Sequence, residues 1–292
     1  MSSPFPQSPV VPETFGGGRE IRFRCHRGVA CWNACCSSID IALTPYDVLR
    51  LKNRLAMDSG AFLREYTVPY EMEQEGIAGV KLKPVEGGTA CRFMRPDGCS
   101  VYADRPTACR YYPVALLSMH RQGEAGESDS YALVKEPHCR GHDECRAITV
   151  DAYRREQGVE AYDELARGWR QLVLKKKSLG PAAGKPSQRS LQLFFMACYD
   201  LDRFRAFVRG EGFRSLHDVG DAEMARLEAD DQELLQFAFR FLRQTMFGEV
   251  TIPMRSETIE WRRARFREKL DTRATQAAAR DGDEPAGETT IG

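Results

Sequence analysis

The chain has 292 residues, 42% of them apolar and 10% aromatic, enough to build a substantial core, so it is not a small scaffold that needs metal merely to fold. Its 42 basic residues balance 42 acidic ones, and whole-chain charge therefore gives no argument for nucleic acid, an anionic membrane or an acidic substrate. No apolar run approaches the roughly 18–20 residues of a membrane-spanning helix.

Residues 1–20 are rich in Pro, Ser and Gly, with Pro4, Pro6, Pro9 and Pro12 opposing any helix, and read as a flexible arm or a surface strap. The segment lacks the basic and apolar regions of a secretion signal, so a soluble, cytoplasmic protein is the expectation. Thr44-Pro45-Tyr46-Asp47 opens a helix: Thr44 is an N-cap, Pro45 suits the first helical position, and Asp47 stands where a capping box needs a carboxylate. A short helix is expected over Gly60 to Tyr66, then strand-like alternation from Gly79 to Val85, and a strand pair, Val114 to Met119 and Tyr131 to Lys135, around a polar loop.

From Thr149 the pattern turns helical. Helices are predicted over Thr149 to Gln157, stopped by Gly158, and over Val159 to Lys177; Ser178 to Gln188 reads as a linker. Further amphipathic helices follow over Arg189 to Arg209, Asp221 to Ala229, Asp231 to Phe247 and Glu257 to Leu270, and Gln276 to Gly292 is expected to be disordered. The expected fold is α+β: an arm (1–20), an irregular cysteine-rich metal-binding domain with short strands and helices (21–178), a helical region (189–275) and a disordered tail (276–292). Phe194, Phe195, Phe204, Phe207, Phe237, Phe239 and Phe241 read as core or interface residues rather than a cofactor pocket.

Ten cysteines carry the chemistry. In a reducing compartment a dense set of thiols binds metal more often than it forms disulfides. Cys198 sits alone on an apolar helical stretch and reads as a buried structural residue. The other nine are Cys25, Cys31, Cys35 and Cys36, then Cys91, Cys99 and Cys109, then Cys139 and Cys145. Thiolates are soft ligands that select zinc, copper(I) or iron–sulfur clusters. A structural zinc site usually presents two close pairs of ligands, a pattern not found here. Neighbouring side chains of Cys35-Cys36 tend to diverge, and so serve two metals or two corners of a cluster. An iron–sulfur cluster, with 4Fe–4S as the leading form, is the first reading of the cofactor and zinc the alternative. Arg24, Arg27, Arg92, Arg105, Arg110 and Arg140 lie beside or near the cysteines, where they would offset thiolate charge. The spacings of a thioredoxin-like dithiol and of a radical S-adenosylmethionine enzyme are both missing.

Phe23-x-Cys25 leading to Cys35-Cys36, Cys91-x-Phe93 to Cys99-Ser100-Val101-Tyr102, and Arg105-Pro106-x-x-Cys109-Arg110-x-Tyr112-Pro113 together resemble the YkgJ-type cysteine-cluster family. That family is described as a zinc- or iron-chelating domain and is shared with the flagellin lysine N-methyltransferase FliB. The resemblance covers about residues 21–160. It implies Cys25, Cys35, Cys36, Cys91, Cys99 and Cys109 as ligands, with Cys31 close behind. The five-residue gap from Cys25 to Cys31 is longer than the family's usual spacing and leaves open which of the two takes the first ligand role. His138-Cys139-Arg140-Gly141-His142-Asp143-Glu144-Cys145 departs from the pattern and suggests an added Cys-His-Cys site. No glycine-rich S-adenosylmethionine fingerprint follows a strand, so the resemblance is not extended to methyl transfer and whether the chain is an enzyme stays open.

Arg105, Arg110 and Tyr112 read as residues that pack around the centre rather than react. His120 and His217 read as ordinary surface or core residues. The acidic run around Asp230-Asp231 reads as a helix start, and the basic stretch Arg262 to Lys269 as a solvated face. The helical region is the expected surface for a protein partner or substrate. The competing readings of the whole chain are a zinc-stabilised interaction module with a purely structural metal and a cluster-dependent protein methyltransferase.

Overall fold

The computed structural model describes residues 10–72, 76–120, 127–179, 186–260, 264–265, 267–268 and 271–272. The expected tail at 276–292, most of the linker and residues 121–126 of the polar loop lie outside the described residues, as does half of the basic stretch.

The architecture is α+β. The strands are β1 (Val10–Phe15), β2 (Glu20–Arg22), β3 (Ala42–Leu43), β4 (Thr67–Met72), β5 (Ile77–Leu82), β6 (Met94–Arg95), β7 (Gly98–Cys99), β8 (Val114–His120), β9 (Glu127–Val134) and β10 (Ala147–Thr149). They form four small antiparallel sheets, ordered β1-β9-β8, β10-β2, β3-β5-β4 and β6-β7. Between and after them come α1 (Pro45–Arg54), α2 (Ser59–Tyr66), α3 (Thr107–Tyr111), α4 (Val150–Gln157), α5 (Glu160–Ser178), α6 (Gln188–Tyr199), α7 (Leu201–Arg209), α8 (Glu211–Arg214), α9 (Asp221–Ala229) and α10 (Asp231–Phe247). No helix among the described residues is long and apolar enough to cross a membrane.

The capping box at α1 forms in full: the Asp47 amide donates to Thr44 Oγ1 at 3.1 Å and the Thr44 amide to Asp47 Oδ2 at 2.8 Å. Asp47 does more than cap α1. Its second oxygen accepts from the amide (2.8 Å) and hydroxyl (2.7 Å) of Thr107, so one buried carboxylate also fixes the start of α3, the helix that carries Cys109. Burial pushes the Asp47 carboxyl above the usual range, and its hydrogen bonding with Thr107 and Thr44 opposes that shift.

The predicted helix over Arg189 to Arg209 is two helices. At Asp200 the backbone leaves the helical region (φ −104°, ψ 67°), and the Asp200 carboxylate accepts from Ser59 Oγ at 2.7 Å. A tertiary bond to α2 wins over helix continuity. In the stretch read as an arm or strap, β1 pairs with β9, with Phe15 opposite Tyr131.

Two cores organise the molecule. The larger joins Leu51, Phe62 and Ile77 from the first half to Phe194, Phe204, Leu234 and Phe237 of the C-terminal helices. The smaller gathers Ile21, Phe23, Tyr111, Val114, Tyr131, Val150, Tyr153 and Val159 around β2, α3 and α4.

Polar contacts reinforce the join inside the larger core. Lys52, 5% exposed, reaches Asp202 at 3.4 Å and Asp231 at 3.2 Å, and the Ser59 amide donates to Asp202 Oδ2 at 2.7 Å. Burial works against ionisation of Asp202, but the Ser59 amide and Lys52 outweigh it and hold the carboxyl below its ordinary value. The unfolded chain then binds the proton at higher pH than the folded one. This contribution to stability is present above about pH 4 and is lost as pH falls through the folded-state pKa. In urea unfolding from about pH 6 down to about pH 3, the stability gap between wild type and Asp202→Asn is expected to narrow with acidity; a gap independent of pH would refute the assignment.

Candidate metal centre

The cysteines are brought together by backbone bonds between segments far apart in sequence. After β2 the chain stays beside the loop that precedes β10: the Phe23 amide donates to Arg146 O and the Arg24 amide to Gly141 O, both at 3.0 Å. Gly141 is required there. A Cβ on it would lie 2.6 Å from a Phe23 ring carbon and 3.0 Å from the Arg24 carbonyl oxygen. Cys25 is thereby set against the turn that holds Cys139.

The next stretch runs through turns to a single 3-10 turn, Ala34–Cys36. Asn33, with φ +65°, donates its side-chain amide to Arg95 O at 2.9 Å, which pins this loop to the β6–β7 hairpin. The Cys91 amide donates to Cys36 O at 2.8 Å, and hairpin pairing sets Met94 opposite Cys99. Cys109 comes from α3, held by Asp47 as described. Cys36, Cys91 and Cys99 pack on the larger core and Cys139 on the smaller one.

All ten cysteines are free thiols. Eight are electrostatic neighbours of one another. Cys36 has Cys35, Cys91 and Cys109 around it; Cys109 has Cys91, Cys99 and Cys35; Cys25 has Cys35, Cys31 and Cys139. Burial first, then these neighbours, push Cys25 up to about 11, and burial leads the upward shifts of Cys91, Cys99, Cys109 and Cys139. Hydrogen bonding between the Cys35 and Cys36 thiols divides that pair, drawing Cys35 down to about 7 and pushing Cys36 up. So many thiolates cannot ionise together without a cation among them, and a bound metal ion removes that cost.

The same sulfurs are prepared as anions by hydrogen bonds from the main chain. Cys31 accepts from the Arg140 amide at 3.1 Å, and the main-chain amides of Phe93 and Met94 beside Cys91, Val101 beside Cys99 and Gly141 beside Cys139 draw those thiols down against burial. Amide donors to sulfur stabilise the thiolate form. As the side chains stand, no three His, Cys, Asp or Glu among the described residues converge closely enough to hold one ion.

Arg105 and Arg110 are 8% and 6% exposed, yet among the described residues neither pairs with a carboxylate. Arg105 donates to Tyr102 O at 2.8 Å and Gln157 Oε1 at 2.7 Å, lies over the Tyr102 ring, and draws down the thiols of Cys25 and Cys99. Arg110 donates to Arg105 O (3.1 Å), Gln157 O (2.7 Å), Ala103 O and Tyr162 Oη (3.0 Å), and stacks over the Tyr162 ring at 4.1 Å. A buried cation with only neutral partners is costly unless negative charge lies near. Around Arg105 the thiols of Cys25, Cys99 and Cys109 supply it. Tyr112 stands edge-on to Phe23 with its hydroxyl beside Cys139 and Glu136.

The expected Cys-His-Cys site does not assemble. His142 Nε2 is bonded to Val134 O at 3.0 Å, its ring also meets the Arg22 backbone, and it packs on Phe23 at 5.2 Å. Its nitrogens are committed to main chain. Cys145 is exposed beyond it. Cys198 lies within the larger core at 1% exposure. A partner that sequence reasoning missed is the Arg140 amide, which donates to Cys31 109 residues earlier, a contact that spacing along the chain cannot signal.

Residues 24–140 match the model of a family called CxxCxxCC, described as "Putative zinc- or iron-chelating domain". No curated protein and no solved structure matches the chain.

Proposed function

From the premise that residues 24–140 belong to this family of metal-chelating domains, we propose that the chain is a cytoplasmic iron–sulfur protein whose cluster is held by Cys36, Cys91, Cys99 and Cys109. The observation that supports this reading is how the residues bearing these four sulfurs are held. They are near neighbours, but they are set by the larger core, a hairpin and a short helix. A zinc ion with bonds near 2.3 Å draws its sulfurs to about 3.8 Å of one another, and among the described residues no three such ligands stand close enough to hold one ion. A cluster interposes iron and sulfide between the thiolates and accepts a wider set. When bound it supplies one-electron redox chemistry.

The chain's own residues do the rest. The amides of Phe93, Met94 and Val101 hold charge on the sulfurs of Cys91 and Cys99, Arg105 and Arg110 offset the net negative charge of a tetrathiolate cluster, and the packing of Cys91, Cys36 and Cys99 on the larger core limits water, which sets the potential. Electron transfer or redox sensing fits this arrangement, with the helical half as the surface toward a protein partner.

The test is anaerobic purification or reconstitution of the full chain with iron and sulfide. A brown protein absorbing near 400 nm, with acid-labile sulfide matching iron, is expected. A colourless protein holding zinc and no labile sulfide would overturn the reading.

A further inference from the structure

We propose that the solvent face of β2 and the loop after it, marked by Arg22, Arg24 and Arg27, is a docking surface for an acidic protein partner, separate from the helical half and set against the open side of the thiol centre.

Strand alternation builds the face. Ile21 and Phe23 turn into the smaller core, which sends Arg22 and Arg24 to solvent, and Arg27 is exposed in the turn that follows. From Ile21 to Ser38 the chain contains no aspartate or glutamate. The acids on neighbouring elements have partners of their own: Glu144 pairs with His26 at 3.3 Å, Asp143 with Arg140 at 3.7 Å and Glu156 with Arg146 at 3.0 Å. Glu20 lies at the far end of the strand, opposite Thr149. Among the described residues no carboxylate forms an ion pair with Arg22, Arg24 or Arg27.

Their position gives these charges a use. One side of the centre is closed by the larger core, on which Cys36, Cys91 and Cys99 pack. On the other side Cys25 and Cys35 are exposed, in the same acid-free segment as the three arginines. A protein that delivers metal to the sulfurs, or exchanges electrons with what they hold, must approach from that open side. Guanidinium groups offer planar pairs of donors that match carboxylates two bonds at a time, and uncompensated positive charge speeds encounter with a partner of opposite sign. The same charge attracts nucleic acid and anionic membranes, but the face lacks what would hold either. Phe23 is buried and Trp32 half-buried, so no aromatic ring between Ile21 and Ser38 is exposed for bases to stack on. No large apolar side chain of that segment is exposed for insertion among lipids.

This inference rests on the arginines and holds whether the sulfurs bind a cluster or zinc. The experiment uses the full chain purified anaerobically, with its metal content measured, and fluorescein-labelled poly-L-glutamate as the probe, followed by anisotropy. Binding is expected at low salt, and at least about tenfold weaker at about 0.3 M salt, where screening shortens the reach of the charges. Arg22→Glu/Arg24→Glu/Arg27→Glu is expected to weaken low-salt binding at least about tenfold, with metal content unchanged. Reversing three exposed charges of the helical half, Arg189→Glu/Arg203→Glu/Arg226→Glu, gives the same net charge and is expected to leave binding within about twofold of wild type. Should the first variant lose metal, Arg22→Gln/Arg24→Gln is read in its place, with a loss of at least about threefold expected. Equal binding by wild type and the β2 variant, or an equal loss in the helical variant, would overturn the surface. An oligonucleotide, or vesicles of phosphatidylserine, that bound wild type more tightly than polyglutamate and released the β2 variant would overturn the acidic protein as its partner.

Discussion

Cys109→Ser is expected to strip iron and labile sulfide from the chain, by more than the roughly 10- to 100-fold that changes to outer-shell partners cost, whereas Cys198→Ser leaves both at the wild-type level. Cys109 sits on α3 with Cys91, Cys99 and Cys35 as neighbours, and Asp47 anchors the start of the helix that carries it. Serine keeps the shape but offers a hard, far less acidic oxygen to a site that selects soft donors. Cys198, by contrast, lies in the larger core, with burial pushing its thiol far above the usual range. Metal analysis of the two variants decides the matter. Equal iron in both would remove Cys109 from the centre.

Arg110→Met should cost stability as well as metal. The guanidinium is the common partner of Ala103 O, Arg105 O, Gln157 O and Tyr162 Oη, and these acceptors belong to the turn before α3, to the end of α4 and to α5. Methionine fills the volume but satisfies none of them. Each buried acceptor left unpaired costs about 1–3 kcal/mol, partly offset because a buried charge is also removed. A net loss of about 3 kcal/mol is expected, or about 6–12 °C in Tm for a chain of this size. Arg110→Lys should recover only part of it, since an ammonium cannot reach acceptors arranged for a planar fork. A melting temperature within about 2 °C of wild type for Arg110→Met would show that the clamp has little role in the fold.

Much of the helical architecture could be read from local signals. Thr44 and Asp47 do form the reciprocal cap, and Gly158 ends α4 at φ +63°. Elements fixed by distant partners were less visible: α3 is five residues long and owes its position to Asp47, 60 residues earlier, and β1 exists by pairing with β9. The break at Asp200 depends on Ser59, which helical periodicity cannot register. The motifs identified a metal-binding domain but not how its ligands are shared. Spacing along the chain made Cys139, His142 and Cys145 look like one unit, whereas the structure turns the imidazole toward main-chain oxygen and sets Cys139 against Cys31, 108 residues away in sequence.

The larger core bears on how this protein can be dissected. Leu51, Phe62 and Ile77 share it with Phe194, Phe204 and Leu234, so scissors placed after α5 would not release a self-sufficient sulfur-rich fragment. Such a fragment would present a greasy wound to solvent and leave Lys52 without either of its acidic partners. The C-terminal helices act as the back wall of the half that carries the thiols.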